Sequence, residues 1–464
     1  MGTKNPFYVD IQSRQDSVTG SGNVVTVSYP DGSKDLILVD FGMFQGPEEQ
    51  VEKNPELKFN PARLTAIILT HSHCDHCGRI PMLYRLGANC KTFMTADTLS
   101  IAEVMLYDTA TILENSFCDK LYDANDVETS LKYFRACKYN DEINVNSNIS
   151  FRFIHNAHIA GAAMVYMKVS YSGFEDICIL FSGDYKEEDV FLEPTIIPEE
   201  ILNKPLVMML ESTYGAVTKK SEEQGVFRKE IAQEISKGKT IVIPAFAFGR
   251  TQRVLYELRQ MQEERMLSLN LPIYLDGGMA IRITNKWERL ESVKVTDFKP
   301  RGLHLVSDTD MRRHLMEDGK QKIIVTTSGM VSFGPARSYI PNYIGSKNAC
   351  IYLTGFSTPE SAARKILEAG DGAVIEVCGI MCKKSAEVHA TYEFSSHARQ
   401  DELVDFTQKF KKINFLLINH GEEESKNELG KQCMQCSNIK KVGIMDGATD
   451  FRVGPYGLIK TLKM

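Results

Sequence analysis

The sequence predicts an α/β protein in which a unit of repeating strands and helices is inserted into a first domain built on sheets. Three observations predict it. The run His71-Ser72-His73-Cys74-Asp75-His76 sits at the end of the apolar stretch 65–70, a strand that delivers four metal-capable side chains. From about Glu211 the chain changes to alternating strands and helices, the pattern of a parallel sheet. Near Phe394 the earlier pattern resumes.

The elements follow in order. Residues 24–29 and 36–41 read as strands, with Pro30-Asp31-Gly32-Ser33 as the hairpin turn between them. Gly78 and the apolar 80–84 turn the chain into a helix behind the histidine cluster. Residues 98–108 form a helix with Asp97 as its N-cap. A second set of strands covers 149–155, 164–171 and 177–181. In the middle third, 240–245, 272–275, 322–327 and 349–354 are strands, and 250–261 and 358–369 are helices, the last stopped at Gly370. Residues 401–410 and 413–419 then read as a helix and a strand of the first domain.

A chain of 464 residues exceeds one ordinary core, so two or three domains are expected. No apolar run approaches the roughly 20 residues that a membrane helix needs. The start, Met1-Gly2-Thr3-Lys4-Asn5-Pro6, has no apolar segment of a secretory signal, and Pro6 argues against myristoylation at Gly2. The 11 cysteines are odd in number and scattered, which fits a reduced, cytoplasmic compartment. The pairs Cys74/Cys77 and Cys433/Cys436 read as packing thiols. A net charge of −6 argues against a whole surface that binds polyanions and leaves room for a local basic groove.

A site for two cations needs more ligands than one loop supplies. The chain has 10 histidines, so candidates are sought at strand ends beside small residues. His155-Asn156-Ala157-His158, Ser182-Gly183-Asp184, Glu211-Ser212-Thr213-Tyr214-Gly215, Ser395-Ser396-His397-Ala398 and Asn419-His420-Gly421 each meet that description. Singly, each also fits a core histidine or a helix-capping acid.

Together these motifs resemble the metallo-β-lactamase superfamily. His71-x-His73-x-Asp75-His76, His158, Asp184 and His420 look like its ordered metal motifs. The segments at Glu211, at His397 and at Asn419-His420-Gly421-Glu422 look like the extra motifs of its β-CASP branch of RNA-processing and DNA-repair nucleases. The likeness is to the short bacterial and archaeal ribonucleases and to the core of the pre-mRNA 3′-end endonuclease. It implies an αββα sandwich over 1–212 and 393–464, interrupted by a β-CASP domain over 213–392. It implies that His71, His73 and His158 hold one metal, that Asp75, His76 and His420 hold the second, and that Asp184 bridges them. Two Zn²⁺ ions are expected, with Mn²⁺ as an alternative. In this branch a histidine at the position of His420 accompanies RNA substrates, whereas DNA-repair members tend to have valine.

The implied reaction is metal-dependent hydrolysis of RNA phosphodiester bonds, endonucleolytic, with zinc making hydroxide available near neutral pH. Asp75 takes the water proton, and Asp40 orients a ligand histidine. His397 serves as general acid, oriented by Glu211. The partner is single-stranded RNA; a homodimer is left open. The strand-end turns carrying Gly249, Arg250, Thr251, Ser328, Gly329 and Gly355, together with Arg337, are candidate phosphate binders. Lys383 and Lys384 join them, and Phe246, Phe248 and Phe356 are stacking candidates, although a core role suits them better. Arg253 and Arg399 stand where relatives often have an acid or a small residue, and add positive charge. The chain is read as lacking the further C-terminal domain of the ribonuclease J group, which argues against that group's 5′-exonuclease mode except as a side activity. The competing readings are a small-molecule metallohydrolase and an inactive RNA-binding partner of a processing complex.

Overall fold

The computed structural model describes residues 7–13, 15, 17–114, 121–218, 224–355, 357, 361–455 and 457–463. The sequence readings at Met1 to Pro6, at Phe356 and at the start of the 358–369 helix lie outside the described residues. The chain divides into two compact units. The first is Met1–Lys220, Leu290–Lys294 and Ser396–Met464; the second is Ser221–Arg289 and Val295–Ser395.

Along the chain, the first unit opens with β1 (Tyr8–Ser13), β2 (Asn23–Ser28), β3 (Lys34–Val39), β4 (Ala66–Ile68), β5 (Thr92–Thr95) and β6 (Phe134–Cys137). It continues with β7 (Ile143–Asn144), β8 (Ile149–His155), β9 (Ala163–Val169), β10 (Ile177–Phe181) and β11 (Leu206–Leu210). The second unit holds β12 (Thr240–Pro244), β13 (Ile273–Asp276), β14 (Leu303–Leu305), β15 (Ile323–Thr326), β16 (Ala349–Leu353), β17 (Val374–Val377), β18 (Ile380–Lys383) and β19 (Glu387–Ala390). The first unit then resumes with β20 (Ile413–Ile418), β21 (Val442–Ile444), β22 (Thr449–Gly454) and β23 (Gly457–Lys463).

In the first unit these strands make two sheets, β23-β22-β1-β2-β3-β4-β5-β6 and β21-β20-β11-β10-β9-β8-β7. Alternation decides the layers. In β1 the residues Val9 and Ile11 are buried and their neighbours are not, so one face turns inward. Val9, Ile11, Val25, Ile37 and Ile68 of the first sheet form one core with Phe151, Val165, Ile179, Val207 and Phe415 of the second. The opposite face of the second sheet, with Ile154, Met208 and Leu416, packs on Leu403, Phe406 and Phe410 and on Leu429. Those belong to the helices Gln400–Gln408 and Glu423–Cys433 and the turns that follow. The helix Ala96–Glu114 covers β5 and β6 of the first sheet. The result is the αββα sandwich.

Two local readings are corrected. The helix begins at Ala96, so Asp97 lies in its first turn and does not cap it. Its carboxylate instead accepts from the amides of Glu291 (2.9 Å) and Ser292 (2.7 Å), while Thr95 Oγ1 accepts from the Thr98 amide. That anchor draws Leu290–Lys294 into the first unit, which no periodicity in the sequence announces. The helix Ala362–Glu368 ends at Ala369 in an extended conformation, without a left-handed Gly370.

In the second unit β14-β13-β15-β12-β16-β19 form a sheet with every pair parallel. All its strands therefore end on one edge. Near-continuous apolar runs such as Ile323–Thr326, fully buried, suit a sheet covered on both faces.

Candidate metal centre

The topology of the first unit gathers the site. β8 and β10 each pair antiparallel with β9, and β10, β11 and β20 run parallel, so β8, β10, β11 and β20 end on one edge. Past those ends stand His158, Asp184, Glu211 and His420. β3 and β4 of the facing sheet run parallel, and Asp40 and Thr70 follow their ends, Thr70 just before His71. The 40–43 segment lies flush against the histidine loop: Phe41 N–H donates to His76 O (2.7 Å) and Met43 N–H to Cys74 O (2.9 Å). A Cβ on Gly42 would lie 1.6 Å from Asp75 O, so this approach requires glycine. Asp40 (φ 62°) and His420 (φ 50°) hold left-handed backbone that costs energy in non-glycine residues, a strain typical of functional sites.

The structure brings seven predicted residues together. His71, His73, His158 and Asp184 form one group of mutually close ligand atoms, and Asp75, His76, Asp184 and His420 form a second. Asp184 serves both. Its Oδ2 lies 3.5 Å from His71 Nε2 and from His158 Nε2, and its Oδ1 lies 3.3 Å from His76 Nε2. His73 Nδ1 faces His71 Nε2 and His158 Nε2 at 3.2 Å, and His76 Nε2 faces His420 Nε2 at 3.1 Å.

Anchors hold the second ring nitrogens of His71, His76, His158 and His420. His76 Nδ1–H donates to Asp40 Oδ2 (2.9 Å), and the same carboxylate accepts from Thr70 N–H and Thr70 Oγ1–H, both at 2.8 Å. His71 Nδ1 meets Thr70 Oγ1 (3.0 Å), His158 Nδ1 meets Ser396 O (2.8 Å), and His420 Nδ1 meets Thr213 Oγ1 (3.0 Å). Anchoring one nitrogen leaves the other for a metal. Asn156 ties the loops together: its amide donates to Ser182 O (3.1 Å) and Asp184 O (2.5 Å), and its oxygen accepts from His158 N–H (3.1 Å). Sequence reading missed Thr70, Thr213 and Asn156. Their signal was adjacency, since each stands one or two residues from a candidate.

Burial pushes the pKa values of His71, His73 and His158 down, His73 to about 4, with neighbouring imidazoles adding to the effect. They stay neutral, the form that binds metal. Burial works against charge on Asp184, but His420, His76 and His397 outweigh it and hold the carboxylate ionised. Asp184 Oδ1 is buried with no hydrogen-bond partner. Inward-facing ring nitrogens around an ionised, under-satisfied carboxylate are a donor set that fits divalent cations.

Beside this cage, His397 Nδ1–H donates to Glu211, 3.1 Å from Oε2, and His397 Nε2 lies 4.0 Å from Asp184 Oδ2. Burial disfavours the imidazolium, but Glu211 and Asp184 outweigh it and raise the pKa of His397. Glu211 is itself fixed by the amides of Tyr185 and Thr213.

The other candidates fall elsewhere. Cys74 and Cys77 lie outside both ligand groups; burial raises both thiols, Cys74 to about 12, and none of the described cysteines forms a disulfide. In the second unit, Gly249, Ser328, Gly329 and Gly355 follow β12, β15 and β16 on the sheet's C-terminal edge. Thr251 is buried and its hydroxyl donates to Phe246 O. Arg250 donates to Thr354 O, and Arg337 is exposed. Phe246 is exposed, whereas Phe248 is buried against Trp287. Lys384 is also buried, donating to Ala369 O, so it is no surface cation, unlike exposed Lys383. Arg253 is neutralised by Glu257 at 2.9 Å.

A carboxylate shared by two histidine-rich ligand groups, at the edge of an αββα sandwich, defines a metal-dependent hydrolase type of protein. Residues 18–106 match the model of the Metallo-beta-lactamase superfamily, 251–366 that of the Beta-Casp domain, and 383–442 that of the Zn-dependent metallo-hydrolase RNA specificity domain. The chain is 28% identical over 429 residues to Ribonuclease TTHA0252 of Thermus thermophilus, covering 89% of this chain and 93% of that protein. It is 27% identical over 451 residues to Transcription termination factor FttA of Methanococcus maripaludis (90% and 69%). It is 27% identical over 419 residues to RNase aCSPSF2 of Saccharolobus solfataricus (88% and 78%). The chain belongs to the metallo-β-lactamase superfamily, in its β-CASP branch.

Proposed function

We propose that this protein is a metal-dependent ribonuclease that hydrolyses phosphodiester bonds within single-stranded RNA, using two Zn²⁺ ions. The observation that carries the reading is the His397–Glu211 pair beside a seven-residue cage whose Asp184 belongs to both ligand groups. The relatives named as ribonucleases support the substrate class.

His71, His73, His158 and Asp184 would hold one cation; Asp75, His76, His420 and Asp184 would hold the other. When bound, such a pair supplies Lewis acidity and an acidified water near neutral pH. The protein's own groups do the rest. Asp75, whose side chain is 20% exposed, accepts the proton of the attacking water. Asp40 keeps the His76 proton on Nδ1. Glu211 fixes the His397 ring with its Nδ1 proton outward from the cage, so Nε2 delivers a proton to the leaving 3′-oxygen. The raised pKa that Glu211 and Asp184 give His397 favours the protonated ring. The turns carrying Gly249, Arg250, Ser328, Gly329 and Gly355 and the side chain of Arg337 are proposed to bind phosphates, with Thr251 shaping its turn. Strand ends of parallel sheets are a common place for such ligands.

The test pairs metal analysis with cleavage of RNA labelled at either end. Wild type should give internal fragments, and His397→Ala should give none while retaining metal. Equal cleavage by both would remove His397 from the chemistry. DNA of the same sequence cut as fast as RNA would refute the substrate assignment.

A further inference from the structure

The first unit contains a second cavity, of about 250 Å³, lined by Phe41, Phe44, Phe59, Arg79, Lys53 and Lys58 among others. Arg79 is its unusual feature. The residue is 1% exposed, and its guanidinium carbon lies 4.1 Å from the Phe41 ring centre and 4.6 Å from that of Phe44. Nε donates to Gly42 O (2.6 Å) and Nη1 to Asn54 O (3.4 Å), while Nη2 has no hydrogen-bond partner among the described residues. No described carboxylate lies within ion-pairing distance of it. Buried charges are normally paired, so a buried cation that lines a cavity is a site prepared for an anion. Burial alone pushes Arg79 down to about 9, against a weak pull from Glu56, which leaves it charged at neutral pH.

The surroundings narrow the ligand. Lys53 and Lys58 add two positive charges, and Glu56 and Asp446 remove two, which leaves Arg79 in excess. Asp446 also spends its carboxylate on the Ala448 and Thr449 amides and on Thr449 Oγ1. The open Nη2 of a guanidinium, with lysines lining the same cavity, suits a doubly charged phosphate. Phe59, half-buried and edge-on to Phe41 at 5.9 Å, offers a flat apolar wall. The volume admits a ring and a phosphate and is too small for an oligonucleotide.

We propose that this cavity binds a mononucleotide, with its phosphate on Arg79 and Lys58 and its base against Phe59. The cavity shares no ligand residue with the metal cage, and the proposal stands apart from the RNA-cleavage reading. Phe41 directly follows Asp40, so the two sites share a wall.

The test is calorimetric titration of the full chain with AMP, adenosine and inorganic phosphate. One AMP per chain is expected, bound at least about tenfold more tightly than adenosine or phosphate. Lys58→Glu and Ala448→Trp, both at exposed positions, should each weaken AMP at least about tenfold with the melting temperature unchanged. Arg79→Gln should abolish binding, and the two exposed variants decide the matter if it does not fold. The proposal fails if millimolar AMP gives no binding, if phosphate alone binds as tightly as AMP, or if Ala448→Trp binds AMP like wild type.

Discussion

Replacing Asp40 by Asn changes one atom and should reverse a proton. In the native chain the carboxylate accepts three hydrogen bonds, from Thr70 N–H, Thr70 Oγ1–H and His76 Nδ1–H. With Nδ1 protonated, the lone pair of His76 sits on Nε2, which faces His420 Nε2 and Asp184. An asparagine Oδ1 still accepts from the Thr70 amide, but its NH₂ group then stands where His76 Nδ1 donated. Two donors cannot face each other, so the ring shifts its proton to Nε2 and points it into the cage. Losing a partner of this kind typically lowers metal affinity by about 10–100-fold, or roughly 1.4–2.8 kcal/mol. The assay is zinc competition against a chromophoric chelator at fixed pH, with the metal-free melting temperature recorded in parallel. Asp97→Asn is the control: it loosens a buried anchor of the Leu290–Lys294 segment and should lower stability with affinity intact. Zinc affinity of Asp40→Asn within twofold of wild type would refute the tautomer argument.

Two further outcomes are expected. Thr213→Val removes the hydroxyl anchoring His420 Nδ1 and should lower affinity for the second cation about tenfold, while Thr213→Ser restores it; stepwise zinc titration reads this. Glu211→Gln removes the nearest carboxylate from His397, so the His397 pKa should fall, as NMR titration of the ring resonances would record; an unchanged value would remove Glu211 from that role.

The sandwich was legible because its strands carry a two-residue period or short apolar runs bounded by turns, as in 24–29 and 177–181. The cage was legible because metal chemistry restricts side-chain types, and His71 to His76 crowds four of them together. What stayed hidden is what depends on three-dimensional closure. Asp97 looks like a cap in one dimension, yet its carboxylate is satisfied by amides 194 and 195 residues away. Thr213 and Asn156 are common polar residues whose roles appear once the loops meet. Lys384 and Thr251 read as surface groups because charge and hydroxyl say nothing about a carbonyl waiting inside.

The order of the second sheet places β20, drawn from the last part of the chain, between β11 and β21. Synthesis delivers β7 to β11 first, and for some two hundred residues the fully buried stretch Leu206–Leu210 has no neighbour on one side. A nascent or truncated chain that stops before Ile413 thus presents a bare, oily border able to capture stray strands. Premature termination in this gene would yield sticky fragments rather than a weakened enzyme.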